Sequence, residues 1–285
     1  MLDSNQGLHN EVRLVEAMYA DREVLARYDA GDKARSDQTF HDRRHAFQVR
    51  DVGMALTDEI DARLPGALDE RTKKVIIPAA LFLHDNGSAE GEKNHNITGA
   101  RWARDYMTRK GFSRDTVREV CRCIALHRSR QALAAGAFRR PDFGDAAWAI
   151  VVIADKAVGD ETRVRPAPLK ELQKLRKQRK VHLWKGSIHD RINYAIKGSE
   201  LIVDGRGEGS SDPGVIVLRL RIDPLVCQPA DIYDLYRDRF HACGRAAQYL
   251  GFLFRLEFNG VRYMYSKETE DWVPVSAIKV SGRAH

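Results

Sequence analysis

Residues 75–85 read VIIPAALFLHD, a run of nine apolar residues followed at once by His84 and Asp85. A membrane span needs about 20 apolar residues, so this run is too short to cross a bilayer and instead predicts a helix buried in a protein core. An unpaired charge in such surroundings is costly. The stretch therefore predicts an internal helix that delivers a histidine and an aspartate to a site where both find partners.

Further histidine and aspartate residues lie on the apolar faces of neighbouring predicted helices. His45, for example, shares its face with Val49 and Leu56, at helical spacing. A single buried histidine is more often a hydrogen-bonded core residue than a ligand, but five separate helices rarely bury unrelated polar groups. Together these side chains suit one or two divalent metal ions. The six candidate ligands are His45, His84, Asp85, His95, His127 and Asp155.

The chain of 285 residues is predicted to be mainly α-helical, with a small α+β region at its C-terminal end. Helices are expected at about 9–28, 42–62, 70–85, 95–110, 114–128 and 145–159. We place a helical domain at 1–185 and the α+β region at 186–285. In the latter, a strand at 215–223, a helix at 231–250 and a hairpin around Asn259-Gly260 are predicted.

The net charge of +7, from 47 basic and 40 acidic residues, favours an anionic partner. The sequence KELQKLRKQRK at 170–180 is a charged helix that suits either a solvated surface or, less often, a nucleic-acid backbone. The N-terminus lacks signal-peptide features, no apolar run predicts a membrane span, and the four cysteines form no CxxC pair. We therefore expect a cytoplasmic protein.

The order of the candidate ligands resembles that of the HD superfamily of metal-dependent phosphohydrolases. The resemblance covers about residues 40–165, and two departures accompany it. Ser88 stands after Gly87, where the family often has lysine, and no GYP-type motif follows. The matching segments are RHAFQV at 44–49, LHDNG at 83–87, HNITGA at 95–100, VCRCIALH at 120–127 and IADK at 153–156.

This resemblance implies an HD-type helical bundle with a dinuclear metal site. His45, His84, Asp85 and Asp155 would hold a first ion, Asp85 would bridge, and His95 and His127 would hold a second. Mn, Fe, Co, Ni or Zn suits such ligands. The implied reaction is hydrolysis of a phosphomonoester or phosphodiester, such as a nucleotide, by a metal-activated hydroxide, with Asp85 a catalytic residue.

Cationic side chains near these motifs are candidates for binding the substrate and stabilising the transition state. Lys156 and Arg128 are the catalytic candidates, and Arg130, Arg163 and Arg165 are further candidates for substrate binding. Each of the arginines, taken singly, is as well explained as a surface residue. His41, four residues before His45, could touch the site, but capping a helix or a surface position is favoured.

Two other functions stay open on the sequence alone. Some HD-type proteins with a six-ligand di-iron site are oxygenases, and this ligand set does not exclude that reaction. The helical domain could also be a non-catalytic, metal-stabilised sensor with the C-terminal hairpin as its output surface. In the phosphohydrolase interpretation, the α+β region would govern selectivity or assembly, and a homo-oligomer is possible.

Overall fold

The computed structural model describes residues 4–34, 39–139, 143–205, 214–266 and 271–274. Within these ranges the protein is mainly α-helical and carries a small five-stranded sheet near its C-terminal end. The helices are α1 (Ser4–Met18), α2 (Arg22–Ala34), α3 (Arg43–Arg63), α4 (Ile77–Leu83), α5 (His95–Lys110), α6 (Arg114–Leu126), α7 (Ser129–Ala132), α8 (Phe143–Ala157), α9 (Pro166–Lys177), α10 (Ile188–Ala195) and α11 (Pro229–Tyr249). The strands are β1 (Ile196–Asp204), β2 (Gly214–Ile222), β3 (Phe252–Phe258), β4 (Val261–Ser266) and β5 (Asp271–Pro274).

The apolar run of residues 75–83 forms the centre of the helical part. A π-helical turn at Thr72–Ile76 leads into α4, and every residue of α4 is buried. Helix α4 contacts α3, α6 and α8, and residues 146–154 of α8 are equally buried. Pro78 lies at the start of α4, directly after the π-helical turn. None of the helices in the described ranges is long and apolar enough to cross a membrane.

The sequence predicted one helix over residues 9–28, and this was wrong. Helix α1 ends at Met18 and α2 begins at Arg22. The side chain of Asp21 accepts a hydrogen bond from the backbone N–H of Glu23, which caps the new helix. The predicted boundary around Gly111 was correct: Gly111 ends α5 in the left-handed conformation and Ser113 caps α6.

The sheet has the strand order β1-β2-β3-β4-β5. The hairpin predicted at Asn259-Gly260 is confirmed, and both residues adopt a positive φ. Strands β2 and β3 are parallel, so they need a crossover connection, which contains α11. Helix α11 contacts β3 and also α7 and α8, and this brings one of its faces to the ends of the N-terminal helices.

Candidate metal centre

The six candidate ligands all lie at the ends of helices. His45 is in the first turn of α3, where Asp42 caps the helix through the backbone N–H groups of Arg44 and His45. Helices α3, α4, α6 and α8 contact one another, so their ends can converge on one place. All six ligands are buried: His45 at the start of α3, His84 and Asp85 after α4, His95 at the start of α5, His127 after α6 and Asp155 in the last turn of α8.

Asp85 lies between two pairs of histidines and faces one pair with each carboxylate oxygen. Its Oδ2 is 3.5 Å from Nε2 of His84 and 3.9 Å from Nε2 of His45. Its Oδ1 is 3.2 Å from Nε2 of His95 and 3.5 Å from Nε2 of His127. The arrangement yields two adjacent groups of potential metal ligands that share one carboxylate.

Asp155 joins the first of these groups. Its Oδ1 is 3.6 Å from Nε2 of His84 and 3.8 Å from Nε2 of His45, whereas its Oδ2 is ion-paired with the ammonium of Lys156. The structure thus brings together all six residues singled out in the sequence. They form a group of His45, His84, Asp85 and Asp155 and a group of Asp85, His95 and His127.

Backbone hydrogen bonds orient three of the histidine rings. The Nδ1 atoms of His84, His95 and His127 lie 2.8, 2.8 and 2.7 Å from the carbonyl oxygens of Leu81, Glu92 and Ile124, respectively. A carbonyl oxygen only accepts hydrogen bonds, so Nδ1 of each ring carries the proton. In an unprotonated ring Nε2 is therefore the free donor, and it faces the centre, as in metal-binding histidines.

The centre contains hydrogen-bond acceptors that face one another, and this arrangement favours a bound cation. Nε2 of His84 is buried without a hydrogen-bond partner. The Nε2 atoms of His95 and His127 face each other across 3.2 Å. Unless one of these nitrogens is protonated, lone pairs this close to each other and to Asp85 repel, and a metal ion between them would remove that repulsion. Imidazole nitrogens combined with carboxylate oxygens suit Mn, Fe, Co, Ni or Zn, so the side chains fit divalent metal ions.

The protonation states of His45, His127, Asp85 and Asp155 suit metal binding. For His95, burial acts to lower the pKa, but the hydrogen bond to Asp85 outweighs it and raises that pKa. Burial lowers the pKa of His45 to about 4 and also lowers the pKa of His127. Burial acts to raise the pKa of Asp85, but the surrounding histidines outweigh it and hold that pKa well below its ordinary value. For Asp155 burial likewise acts to raise the pKa, and the ammonium of Lys156 outweighs it and keeps that pKa low. At neutral pH both carboxylates are charged and His45 and His127 are neutral, as ligands must be.

A cavity of about 340 Å³ opens from the centre, and cationic side chains outnumber carboxylates along its wall. The wall includes five lysines and arginines against three acids, of which Asp85 and Asp155 belong to the ligand groups. Such a lining attracts anions. Besides the ligands His45, Asp85, His95, His127 and Asp155, the cavity is lined by His41, Glu92, Arg128, Ser129, Arg130, Lys156, Arg163, His189, Leu235, Tyr236 and Arg239.

Four of the five cations predicted to act in the site line the cavity, and Arg165 does not. Its guanidinium pairs with Asp32 at 2.9 Å and lies over the ring of Phe40, which holds it away from the wall. Lys156 lines the cavity, but its ammonium also donates to the carbonyl oxygen of His127 at 3.0 Å.

Arg128 and Arg130 follow α6 closely and lie on the wall. A guanidinium N–H of Arg128 donates to the carbonyl oxygen of Lys93 at 3.0 Å. Arg130 is exposed. The two arginines are therefore on the side of the centre where His95 and His127 lie. Arg130 is the less constrained of the two and is better able to contact a molecule bound in the cavity.

Several wall residues were not predicted from the sequence or were not the favoured alternative. For His41 the favoured roles were helix capping or a surface position, with contact to the site as the alternative; it lines the cavity with its ring centroid 6.0 Å from that of His45. His189, Tyr236 and Arg239 come from α10 and α11. No local signal distinguishes Arg239 from a surface arginine, because only the contact of α11 with α8 brings it to the centre.

The sequence matches no protein-family model and none of the curated proteins. The site's own geometry and chemistry are thus the basis for inferring a function.

Proposed function

We propose that this chain is an HD-type, metal-dependent phosphohydrolase that acts on a phosphate ester such as a nucleotide. One observation carries the proposal: each carboxylate oxygen of Asp85 faces its own pair of histidines. A carboxylate in this position suits a bridge between two divalent ions. Such a pair of ions can clamp a phosphate and supply a hydroxide near neutral pH.

The chain's own residues would hold and orient the parts of this site. The Nδ1–H bonds to backbone carbonyls fix the rings of His84, His95 and His127. The ammonium of Lys156 joins Asp155 to the carbonyl of His127 and so ties one ligand group to the other. Lys156 thereby acts on the ligands as a positioning residue, in addition to its charge on the wall.

The remaining cations of the wall favour an anionic substrate. Arg128 and Arg130 lie next to the His95 and His127 group, and the charge of Arg163 acts on His45 in the other group. Positive groups already in place where negative charge develops stabilise a transition state such as that of phosphate transfer. The basic run at 170–180 does not line the cavity, so small phosphate esters are the first substrates to test.

The test combines metal analysis with hydrolysis. Protein purified without chelator is expected to carry about two Mn, Fe, Co, Ni or Zn ions per chain and to hydrolyse phosphate esters. Asp85→Ala is expected to lose both the bound metal and the activity, because Asp85 belongs to both ligand groups. His182→Ala is the matched control, since His182 is exposed and does not line the cavity.

Two outcomes would contradict the proposal. One is a wild-type protein that neither contains nor takes up metal. The other is full hydrolysis by a folded Asp85→Ala variant, with folding checked by circular dichroism. Bound iron with oxygen consumption and no ester hydrolysis would replace the hydrolase with an oxygenase.

A further inference from the structure

Arg163 is a buried cation without an acidic partner. Only 6% of its surface is exposed, and among the described residues no carboxylate forms an ion pair with it. Its Nε donates to the carbonyl oxygen of Phe40 at 3.1 Å, and its own carbonyl accepts from the N–H of Phe40 at 2.8 Å. These bonds fix the base of the side chain, but they do not compensate its charge. A buried charge needs a counter-charge.

Arg239 brings a second positive charge, on a half-buried side chain, to the same cavity. One of its guanidinium nitrogens donates to the backbone carbonyl of Asp155 at 3.2 Å, and the guanidinium lies 4.6 Å from the ring centroid of Tyr236. Within the described ranges, Arg239 also forms no ion pair with a carboxylate. Burial and, second, the charge of Arg239 lower the pKa of Arg163, so the two cations repel each other. Tyr236 and the charges of Asp85 and Asp155 act in the opposite direction and only partly offset this effect.

The backbone of α11 departs from helical geometry next to Arg239. Tyr236 has φ −110° and ψ 16°, and α11 is kinked at this residue. Leu235, Tyr236 and Arg239 all line the cavity, so the kinked segment is the part of α11 that faces the centre. Two like charges on one wall, one from each part of the chain, would attract an anion.

We propose that Arg163 and Arg239 form a clamp for the phosphate of the substrate, and that the substrate is a phosphomonoester. The assignment of a phosphomonoester as the substrate rests on the proposed function. A phosphomonoester has three non-bridging oxygens, whereas a phosphodiester has two. If two non-bridging oxygens of the phosphate face the two ligand groups, only a phosphomonoester has a third non-bridging oxygen left for Arg163 and Arg239. The clamp thus makes the C-terminal region part of the substrate site.

The first test measures the binding of inorganic phosphate to Mn-loaded protein by isothermal titration calorimetry. Arg239→Gln and Arg163→Lys are each expected to weaken binding about tenfold to a hundredfold, the usual effect of losing a charge-assisted hydrogen bond. Both variants should keep the metal content of the wild type. Arg237→Gln is the matched control, because Arg237 lies on the same helix, pairs with Asp234 and does not line the cavity.

Unchanged phosphate affinity in Arg239→Gln would overturn the clamp. Arg163 is buried, so its variant is assessed only if its circular dichroism matches the wild type. Arg239 is half-buried on a helix surface, and its variant decides the question alone if Arg163→Lys does not fold.

The second test compares hydrolysis of p-nitrophenyl phosphate with that of bis(p-nitrophenyl) phosphate. The wild type is expected to favour the monoester in kcat/KM, and Arg239→Gln is expected to reduce that preference about tenfold or more. A wild-type preference for the diester, or equal losses on both esters, would overturn the assignment of a monoester.

The two tests separate the clamp from the proposed function. If the wild type hydrolyses neither ester but Arg239→Gln loses phosphate binding, the hydrolase is rejected and the clamp stands. If the wild type hydrolyses esters and phosphate binding is unchanged in the variant, the clamp is rejected and the hydrolase stands.

Discussion

The proton on a single ring nitrogen decides whether each histidine here can act as a ligand. In His84, His95 and His127 the Nδ1 proton is held by a carbonyl oxygen three residues earlier. This bond is local, because a histidine at the end of a helical turn is close to the carbonyl three residues before it. His45 differs, because its Nδ1 is buried without a partner, so no hydrogen bond determines which of its nitrogens is protonated.

At the residue scale, we predict that His45→Gln reduces the pH dependence of stability in metal-free protein. Burial lowers the pKa of His45 from 6.5 to about 4, so between these values the folded state binds fewer protons than the unfolded state. The free energy of unfolding of the wild type should therefore fall as the pH falls from 6.5 to about 4. Urea denaturation of chelator-treated protein across this window measures the slope, which should be shallower in the variant.

His182→Gln is the control for this experiment, since His182 is exposed and outside the cavity. It should keep the slope of the wild type. The same slope in His45→Gln as in the wild type would show that the ring of His45 is not held neutral by burial.

At the element scale, the two ligand groups depend on a close approach between the turn at Asn86–Glu90 and α5. A Cβ atom at Gly87 would overlap the carbonyl oxygen of His95 and the backbone of Gly99. The glycine therefore lets the turn after Asp85 lie directly against the start of α5. This contact is what sets the spacing between Asp85 and His95.

We predict that Gly87→Ala destabilises the protein by about 1–3 kcal/mol, the usual cost of overpacking. It should also lower the metal content, because moving α5 separates His95 from Asp85. Urea denaturation and elemental analysis measure the two effects. Gly244→Ala, in α11, is the matched control: nothing lies within 4 Å of its added Cβ, so it should stabilise by about 0.5–1 kcal/mol. If Gly87→Ala and Gly244→Ala were equally stable, that result would contradict the close approach of the Asn86–Glu90 turn to α5.

Elements were predictable from the sequence where their signals are local. The buried run before His84, the cap at Ser113 and the Asn259-Gly260 hairpin each depend on neighbouring residues only, and the structure contains all three. The break between α1 and α2 was missed because helical periodicity continues across it, and only the capping by Asp21 reveals it. The parallel pairing of β2 with β3 joins strands far apart in sequence, and no local signal predicts it.

At the scale of the whole molecule, the centre links five helices through side chains that are distant from one another in the sequence. Its ligands come from or directly after α3, α4, α5, α6 and α8, and α11 closes one wall of the cavity. In the unfolded chain these residues are far apart. A metal ion that binds them therefore binds the folded state almost exclusively and stabilises the whole assembly.

We predict that Mn²⁺ raises the melting temperature of chelator-treated protein. At free metal about 100 times above Kd, the gain in the free energy of unfolding should be about 2.7 kcal/mol. Differential scanning fluorimetry over a Mn²⁺ titration measures the shift. Asp85→Asn should abolish most of it, because the variant removes the shared negative ligand. An equal shift in the variant would indicate that the metal binds elsewhere.

The six candidate ligands were identifiable from the sequence alone. Five lie on the apolar face of a predicted helix, and Asp85 directly follows the buried apolar run and His84, and both signals are local. The residues of the cavity wall were not identifiable from the sequence in this way. Arg165 is held by Asp32, and Arg239 reaches the cavity only because α11 packs on α8. The sharing of Asp85 by two groups likewise appears only once five helix ends meet. These features depend on contacts between residues distant in the chain, which tertiary packing alone determines.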